Sequence, residues 1–193
     1  QWNKERRIQG GSSDTPLSPT GRQQSLEIAQ ALRDVQISAI YSSPLLRARD
    51  TAAVIGTSCR IDITIEPDLR ELEVGEMEGK AISNLITDFS HFLLQWREGQ
   101  GTEKLPGGES LADLQKRAWN VVEGRITAAD VETVAIVSHY FTILTIICAA
   151  LELPLLHIRK MRAQPGSITT IDFGKRLNRL AAFGTLHHLT NTL

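Results

Sequence analysis

The stretch VAIVSHYFTILTIICAAL, residues 134–151, decides between two classes of protein. It is nearly long and apolar enough for a membrane-spanning helix, which needs about 20 consecutive apolar residues. Ser138 and His139 interrupt the run, and no basic residues flank it. We therefore divide it into a buried strand that ends at His139 and a helix over 141–151, which is a pair of elements typical of an α/β protein.

The same alternation of strands and helices extends outward along the chain. The predicted helices cover 19–34, 45–58, 82–96, 108–126 and 141–151, and the predicted strands cover 37–43, 61–65, 131–139, 167–173 and 179–184. This order predicts an α/β fold, a three-layer sandwich with a mostly parallel central sheet, helices on both faces and a C-terminal antiparallel hairpin.

We expect one domain over residues 1–193, because no stretch is rich enough in Gly, Ser or Pro to divide the chain. Within it, segment 80–128 is expected to form a small helical cap insertion over the sheet. Ser110 and Asp113 have the spacing of a capping box at the start of the second cap helix.

Overall composition argues against several kinds of partner. The net charge is −1 at pH 7, so bulk charge gives no reason to expect nucleic acid or a membrane. Cys59 and Cys148 lie far apart and form no zinc motif, and no metal site is expected. Both are interpreted as reduced core residues of a cytoplasmic protein.

Three charged or titratable residues follow the predicted strands, where open α/β sheets bind ligands. Arg47 falls in the first turn of a helix, where a cation is unfavourable unless an anion lies nearby, and the alternative is a surface salt bridge. His139 ends a strand and is either functional or a hydrogen-bonded core histidine. Glu71 is either functional or one solvated charge in an acidic loop.

Taken together, these residues favour a phosphate site. Arginine offers a rigid fork to two phosphate oxygens, and the polar opening loop adds Asn3, Gln9 and the Gly10 amide. A carboxylate beside phosphate is unfavourable unless it is protonated, which makes Glu71 a candidate proton donor.

The motifs resemble those of the histidine phosphatase superfamily, with its phosphoglycerate mutase-like fold and its compact phosphatase branch. The segments that carry the resemblance follow one another in the family's order: WNKERRIQG with DTPLSPTGRQQS, then AIYSSPLLRARDTA, LRELEVGEMEGK and VAIVSH. The resemblance implies hydrolysis of a small phosphorylated metabolite through a phosphohistidine intermediate, without metal or cofactor. The alternative activity is that of a phosphoglycerate mutase, and a homodimer is left open.

The resemblance also assigns a role to each matching residue. Arg47 holds the phosphoryl oxygens, His139 hydrogen-bonds them, and Glu71 is the proton donor. Asn3 and the loop at Gln9 and Gly10 add further phosphate contacts.

Two departures from the family pattern carry consequences. Tyr140 stands where the family usually has Gly, so we expect it to line a substrate pocket, either narrowing the pocket or stacking on the substrate. The Arg-His-Gly signature that carries the nucleophile is missing, and we expect it, with a first strand, before residue 1. The alternatives are a non-catalytic phosphate-binding pseudo-enzyme and a likeness of fold alone.

Overall fold

The computed structural model describes residues 5–88, 90, 98–126 and 133–190. In that part of the chain, helices and strands alternate largely as predicted. The helices are α1 (Pro19–Leu32), α2 (Leu46–Cys59), α3 (Ile82–Asp88), α4 (Leu111–Ile126) and α5 (Tyr140–Ala150). The strands are β1 (Ala39–Ser42), β2 (Ile63–Ile65), β3 (Val134–Val137), β4 (Ile168–Asp172) and β5 (Arg179–Thr185).

The central sheet has the order β2-β1-β3, with both pairs of strands parallel. Ile40 of β1 lies between Ile63 of β2 and Ala135 of β3. Parallel neighbours need a crossover connection, which α2 supplies between β1 and β2. The predicted parallel sheet is therefore confirmed.

Helices cover both faces of this sheet. Successive strand residues point to opposite faces, so Ile40 packs under α1 and α2 while Tyr41 packs on the α4 side. On that second side, Ala118 of α4 and Ile146 of α5 share one apolar cluster. These contacts confirm the three-layer sandwich, and they place α4, which is part of the expected cap segment 80–128, directly against the sheet.

The C-terminal strands β4 and β5 form the predicted antiparallel hairpin. Ile171 and Leu180 of this hairpin pack on the cluster that contains Ile147 and Cys148 of α5. Cys148 is fully buried, as predicted, whereas Cys59 is partly buried.

One edge of β3 faces no partner strand among the described residues, since β3 pairs with β1 and β4 pairs with β5. All four residues of β3 are apolar, as in strands buried on both faces, yet each is partly exposed. Ile168 of β4 packs on the same cluster as Ala135 and Val137 of β3, so the two edges border one apolar layer.

Side chains cap two of the helices, and the second of these caps was predicted from the sequence. The Ser18 hydroxyl accepts a hydrogen bond from the Gly21 amide at 3.1 Å. Ser110 and Asp113 form a capping box, in which each side chain accepts from the other's backbone N–H. No helix in the described part of the chain is long and apolar enough to cross a membrane.

Candidate active site

The candidate site lies where β1 and β3 end and α5 begins. His139 occupies the N-cap position of α5, two residues after the end of β3, and Ser43 directly follows β1. Because the two strands are parallel neighbours, their ends meet, and His139 Nε2 lies 2.7 Å from the Ser43 hydroxyl. The imidazole is buried, with only 7% of the residue exposed.

Burial and three arginines keep His139 neutral. Burial is the largest cause, and the charges of Arg47, Arg117 and Arg70 act in the same direction, lowering the His139 pKa to about 3. The Ser43 hydroxyl oxygen also accepts a hydrogen bond from the Leu45 amide, at 3.3 Å. The hydroxyl both donates and accepts, so it pairs with Nε2 in either tautomer of the imidazole.

The Glu71 carboxyl lies against the N-terminus of α5. It accepts backbone N–H groups of Leu72 at 2.8 Å, Phe141 at 3.2 Å and Thr142 at 3.3 Å. These donors and Arg47 favour the ionised form, but burial outweighs them and raises the Glu71 pKa. The Glu71 carboxyl therefore has a raised pKa and is held in a fixed orientation beside the N-terminus of α5.

Arg47 projects from the first turn of α2 toward the opening loop. Its Nη1 donates to the Ser13 carbonyl at 2.7 Å and its Nη2 donates to the Gly10 carbonyl at 3.1 Å. Asp14 caps the same helix end, accepting the Leu46 amide at 2.6 Å. The unfavourable position of Arg47 at a helix N-terminus is thus offset by an acid from another segment.

The opening loop is held in place mainly through Glu78. The Gly10 amide donates to Glu78 Oε1 at 2.9 Å, and the Ser13 hydroxyl donates to the same oxygen. The Gly10 amide, which we had assigned to phosphate, is therefore committed to Glu78, and Gly10 contributes its carbonyl to Arg47. Gln9 donates to the Thr15 hydroxyl, and Asn3 lies outside the described residues.

A β-carbon at position 10 would collide with the wall of the site. It would lie 2.7 Å from the Leu72 carbonyl and 2.7 Å from Glu78 Oε2. Only glycine fits this close approach, so the loop depends on Gly10 for its position.

Arg117 is a residue that sequence reasoning missed. Its guanidinium donates five hydrogen bonds: two to the Glu109 carboxylate and one each to the carbonyls of Asp68, Arg70 and Glu71. Glu109 in turn accepts the Glu73 amide at 2.9 Å. This pair fixes the backbone of the segment that carries Glu71. Glu109 and Arg117 are eight residues apart, a spacing that gives no local signal of pairing.

Arg70 is a second residue without an assigned role in the sequence interpretation. Its Nη2 donates to the Gly11 carbonyl at 2.5 Å, and its charge reaches both Arg47 and His139. Its Nε is buried and has no hydrogen-bond partner among the described residues.

The structure thus brings Arg47, Glu71, His139 and the loop at Gly10 to one place. Tyr140 lies beside them, with 39% of the residue exposed. In the described part of the chain, no group of three or more His, Cys, Asp or Glu side chains is arranged to hold a metal ion. The arrangement provides positive charge, a neutral imidazole and a buried acid, which are suited to binding a phosphoryl group and protonating its leaving oxygen.

Comparison with known proteins finds similarity along nearly the whole chain. The family model described as histidine phosphatase superfamily (branch 1) matches residues 1–185. The probable phosphoglycerate mutase GpmB of Escherichia fergusonii is 34% identical over 173 residues, covering 90% of this chain and 80% of that protein.

Two solved structures share the fold over nearly the whole chain. YhfR of Bacillus stearothermophilus has a TM-score of 0.88 at 30% identity, covering 97% of this chain and 93% of that one. A mycobacterial glucosyl-3-phosphoglycerate phosphatase in complex with inorganic phosphate has a TM-score of 0.86 at 28% identity, covering 95% of this chain and 94% of that one.

Proposed function

The chain belongs to the histidine phosphatase superfamily, and we propose that it hydrolyses a small phosphomonoester through a phosphohistidine intermediate. The observation that carries this proposal is the placement of Glu71. A buried carboxyl with a raised pKa, adjacent to Arg47 and His139, is a proton donor beside an anion site.

In the first step, a histidine nitrogen attacks phosphorus and the bond from phosphorus to the leaving oxygen breaks. Arg47 and the His139 imidazole stabilise the charge on the phosphoryl oxygens, and Asn3 adds a contact. Glu71 gives its proton to the leaving oxygen. Dividing one displacement into two lowers the barrier of each.

In the second step, water attacks the phosphohistidine and the phosphorus–nitrogen bond breaks. Glu71, now a carboxylate, takes a proton from that water and returns to its starting form. Arg47, with Arg70 close by, supplies the positive charge that a metal ion provides in other phosphatases, so the scheme needs no metal.

The nucleophile belongs on a strand between β3 and β4. A parallel strand there would pair with the open edge of β3 and cover its partly exposed apolar residues. Its carboxyl end would then lie next to His139, as the reaction requires. We place this strand, and its histidine in an Arg-His-Gly sequence, before residue 1.

Phosphatase activity is favoured over mutase activity by the segment after the acid. Residues 71–80, ELEVGEMEGK, are closer to those of compact phosphatases than to the aromatic and basic set that grips glycerate in mutases. Release of phosphate from 3-phosphoglycerate, against its conversion to 2-phosphoglycerate, separates the two activities in one assay.

The deciding experiment uses the full-length protein with p-nitrophenyl phosphate. We expect turnover together with an acid-labile phosphoprotein in rapid-quench samples. Binding of phosphate without turnover, and without any labile phosphoprotein, would instead favour the non-catalytic pseudo-enzyme.

A further inference from the structure

An apolar cavity of about 320 Å³ lies beside the N-terminus of α5. This volume is within the range of about 300–1,000 Å³ that small-molecule sites occupy. Its apolar and aromatic lining comes from Tyr140, Phe141, Leu155, Leu156, Ile158 and Met161.

The cavity wall is continuous with the candidate site. Tyr140 directly follows His139, and the Phe141 amide donates to Glu71 Oε2 at 3.2 Å. A leaving oxygen that takes a proton from Glu71 must lie close to that carboxyl. The carbon attached to this oxygen then lies close to the wall formed by Tyr140 and Phe141.

The aromatic part of the wall is held in place by two contacts. The Tyr140 hydroxyl donates to the Met161 carbonyl at 3.3 Å, and the Tyr140 and Phe141 rings meet edge to face with centroids 5.0 Å apart. Such a fixed pair presents a surface for an apolar group at little cost in side-chain freedom.

Among the described residues that line the cavity, the charged one is Arg159. This arginine is exposed, and its Nε donates to the Leu156 carbonyl at 3.2 Å. The rest of the described lining offers few polar partners for a hydroxyl-rich leaving group, whose burial without hydrogen bonds is unfavourable.

We propose that this cavity binds the alcohol part of the phosphomonoester, and that this part is apolar, with Tyr140 as a specificity-determining residue. The proposal rests on the proposed phosphatase function and adds its substrate class.

The test compares two substrates whose leaving alcohols have similar basicity, 2-phenylethyl phosphate and 2-hydroxyethyl phosphate, on the full-length protein. We expect kcat/KM to be about thirtyfold higher for the phenylethyl ester, from burial of the ring. Tyr140→Gly and Leu156→Asn should each reduce this ratio to below about fivefold, and Tyr140→Phe should preserve it.

Leu177→Asn is the matched control, because Leu177 is 61% exposed and its neighbour Asn178 contacts Ala150, at the far end of α5. The ratio should be unchanged in this variant. Turnover of both esters at similar rates in the wild-type protein, or a ratio that neither Tyr140→Gly nor Leu156→Asn alters, would overturn the cavity proposal while leaving the phosphatase function standing.

If the phosphatase function fails, a binding measurement still tests the cavity proposal by itself. If neither ester turns over, calorimetry with 2-phenylethylphosphonate and 2-hydroxyethylphosphonate tests the cavity alone. Tighter binding of the phenylethyl compound, lost in Leu156→Asn, supports the cavity although the phosphatase function has failed, and equal affinities overturn it.

Discussion

Arg47 and Arg117 lie on helices that cover opposite faces of the sheet, and they use their donors differently. Arg117 makes five hydrogen bonds, which exhaust its N–H groups, all within the protein. Arg47 makes two with described residues, to the Ser13 and Gly10 carbonyls. Three of its five N–H groups therefore have no acceptor in the described part of the chain, which leaves them for an anion in the proposed mechanism.

This difference separates a structural cation from a functional one. Both arginines are partly buried and both lower the His139 pKa, so burial and charge alone do not distinguish them. The number of N–H groups that have no acceptor among the described residues distinguishes them. Arg117 stabilises the segment that carries Glu71, whereas Arg47 is positioned by the loop, and we propose that it binds the phosphoryl group.

The largest expected effect comes from Arg47→Ala. We expect kcat/KM for p-nitrophenyl phosphate to fall by about 10³, because charge stabilisation in the transition state is lost. Affinity for inorganic phosphate should fall too. Arg49→Ala removes an exposed arginine two residues away and serves as the control. If Arg47→Ala kept a third or more of the activity, the distinction between the two arginines would be wrong.

Glu71→Gln sharpens the comparison, because the charge of Arg47 acts on the Glu71 carboxyl and Arg117 donates to the Glu71 backbone carbonyl. We expect kcat/KM to fall by about 10² for an alkyl phosphate and by less than tenfold for p-nitrophenyl phosphate, whose leaving group needs no proton. The matched control is Glu76→Gln, an exposed acid in the same run. Equal losses on both substrates would remove Glu71 from the role of proton donor.

Much of the fold follows from local sequence. The run over 134–151 divides at Ser138 and His139 into β3 and α5, as its polar interruption indicates. Four of the described strands, β1 to β4, are shorter than predicted, and β5 is one residue longer. β1 and β3 each have four residues, and the flanking polar residues bond instead to other segments, as Ser138 does to the Leu69 carbonyl.

The site could be predicted only in part. Arg47, Glu71 and His139 follow strand ends, so a parallel sheet brings them together. The pairing of Arg117 with Glu109 and three distant carbonyls depends on how α4 packs, and no periodicity encodes it. The Gly10 amide was assigned to phosphate from sequence alone, whereas Glu78, 68 residues away, is its partner.

A third experiment tests Arg117, the arginine to which we assign a structural role. Arg117→Met should lower the free energy of unfolding by about 3 kcal/mol, because Glu109 and three carbonyls lose their donor in a largely buried place. Denaturant unfolding of the protein measures this. Arg125→Met, on the same helix, breaks a more exposed pair with Glu66 and should cost less than about 1 kcal/mol. Similar losses in the two variants would contradict the structural role of Arg117.

The smallest effect concerns the pH dependence that these arginines help to create. Burial, then Arg47, Arg117 and Arg70, lower the His139 pKa to about 3, so below pH about 6.5 the unfolded chain binds a proton that the folded chain does not. The contribution of His139 to the free energy of unfolding is therefore complete above pH about 6.5. It decreases as the pH falls, by at most about 1.4 kcal/mol per pH unit.

Glu71 acts in the opposite direction because its pKa is raised. Its contribution to the free energy of unfolding is lost as the pH rises above the ordinary carboxyl range. The measurement is the free energy of unfolding as a function of pH, for the wild-type protein and for His139→Gln. The difference between these two curves gives the contribution of His139 between pH 4 and 7. The wild-type curve should have the more positive slope of the two, and this difference in slope should be smaller when both proteins also carry Arg47→Ala, where one of the charges that oppose protonation of His139 is absent. Parallel curves in all four proteins would mean that His139 titrates normally and that neither arginine acts on it.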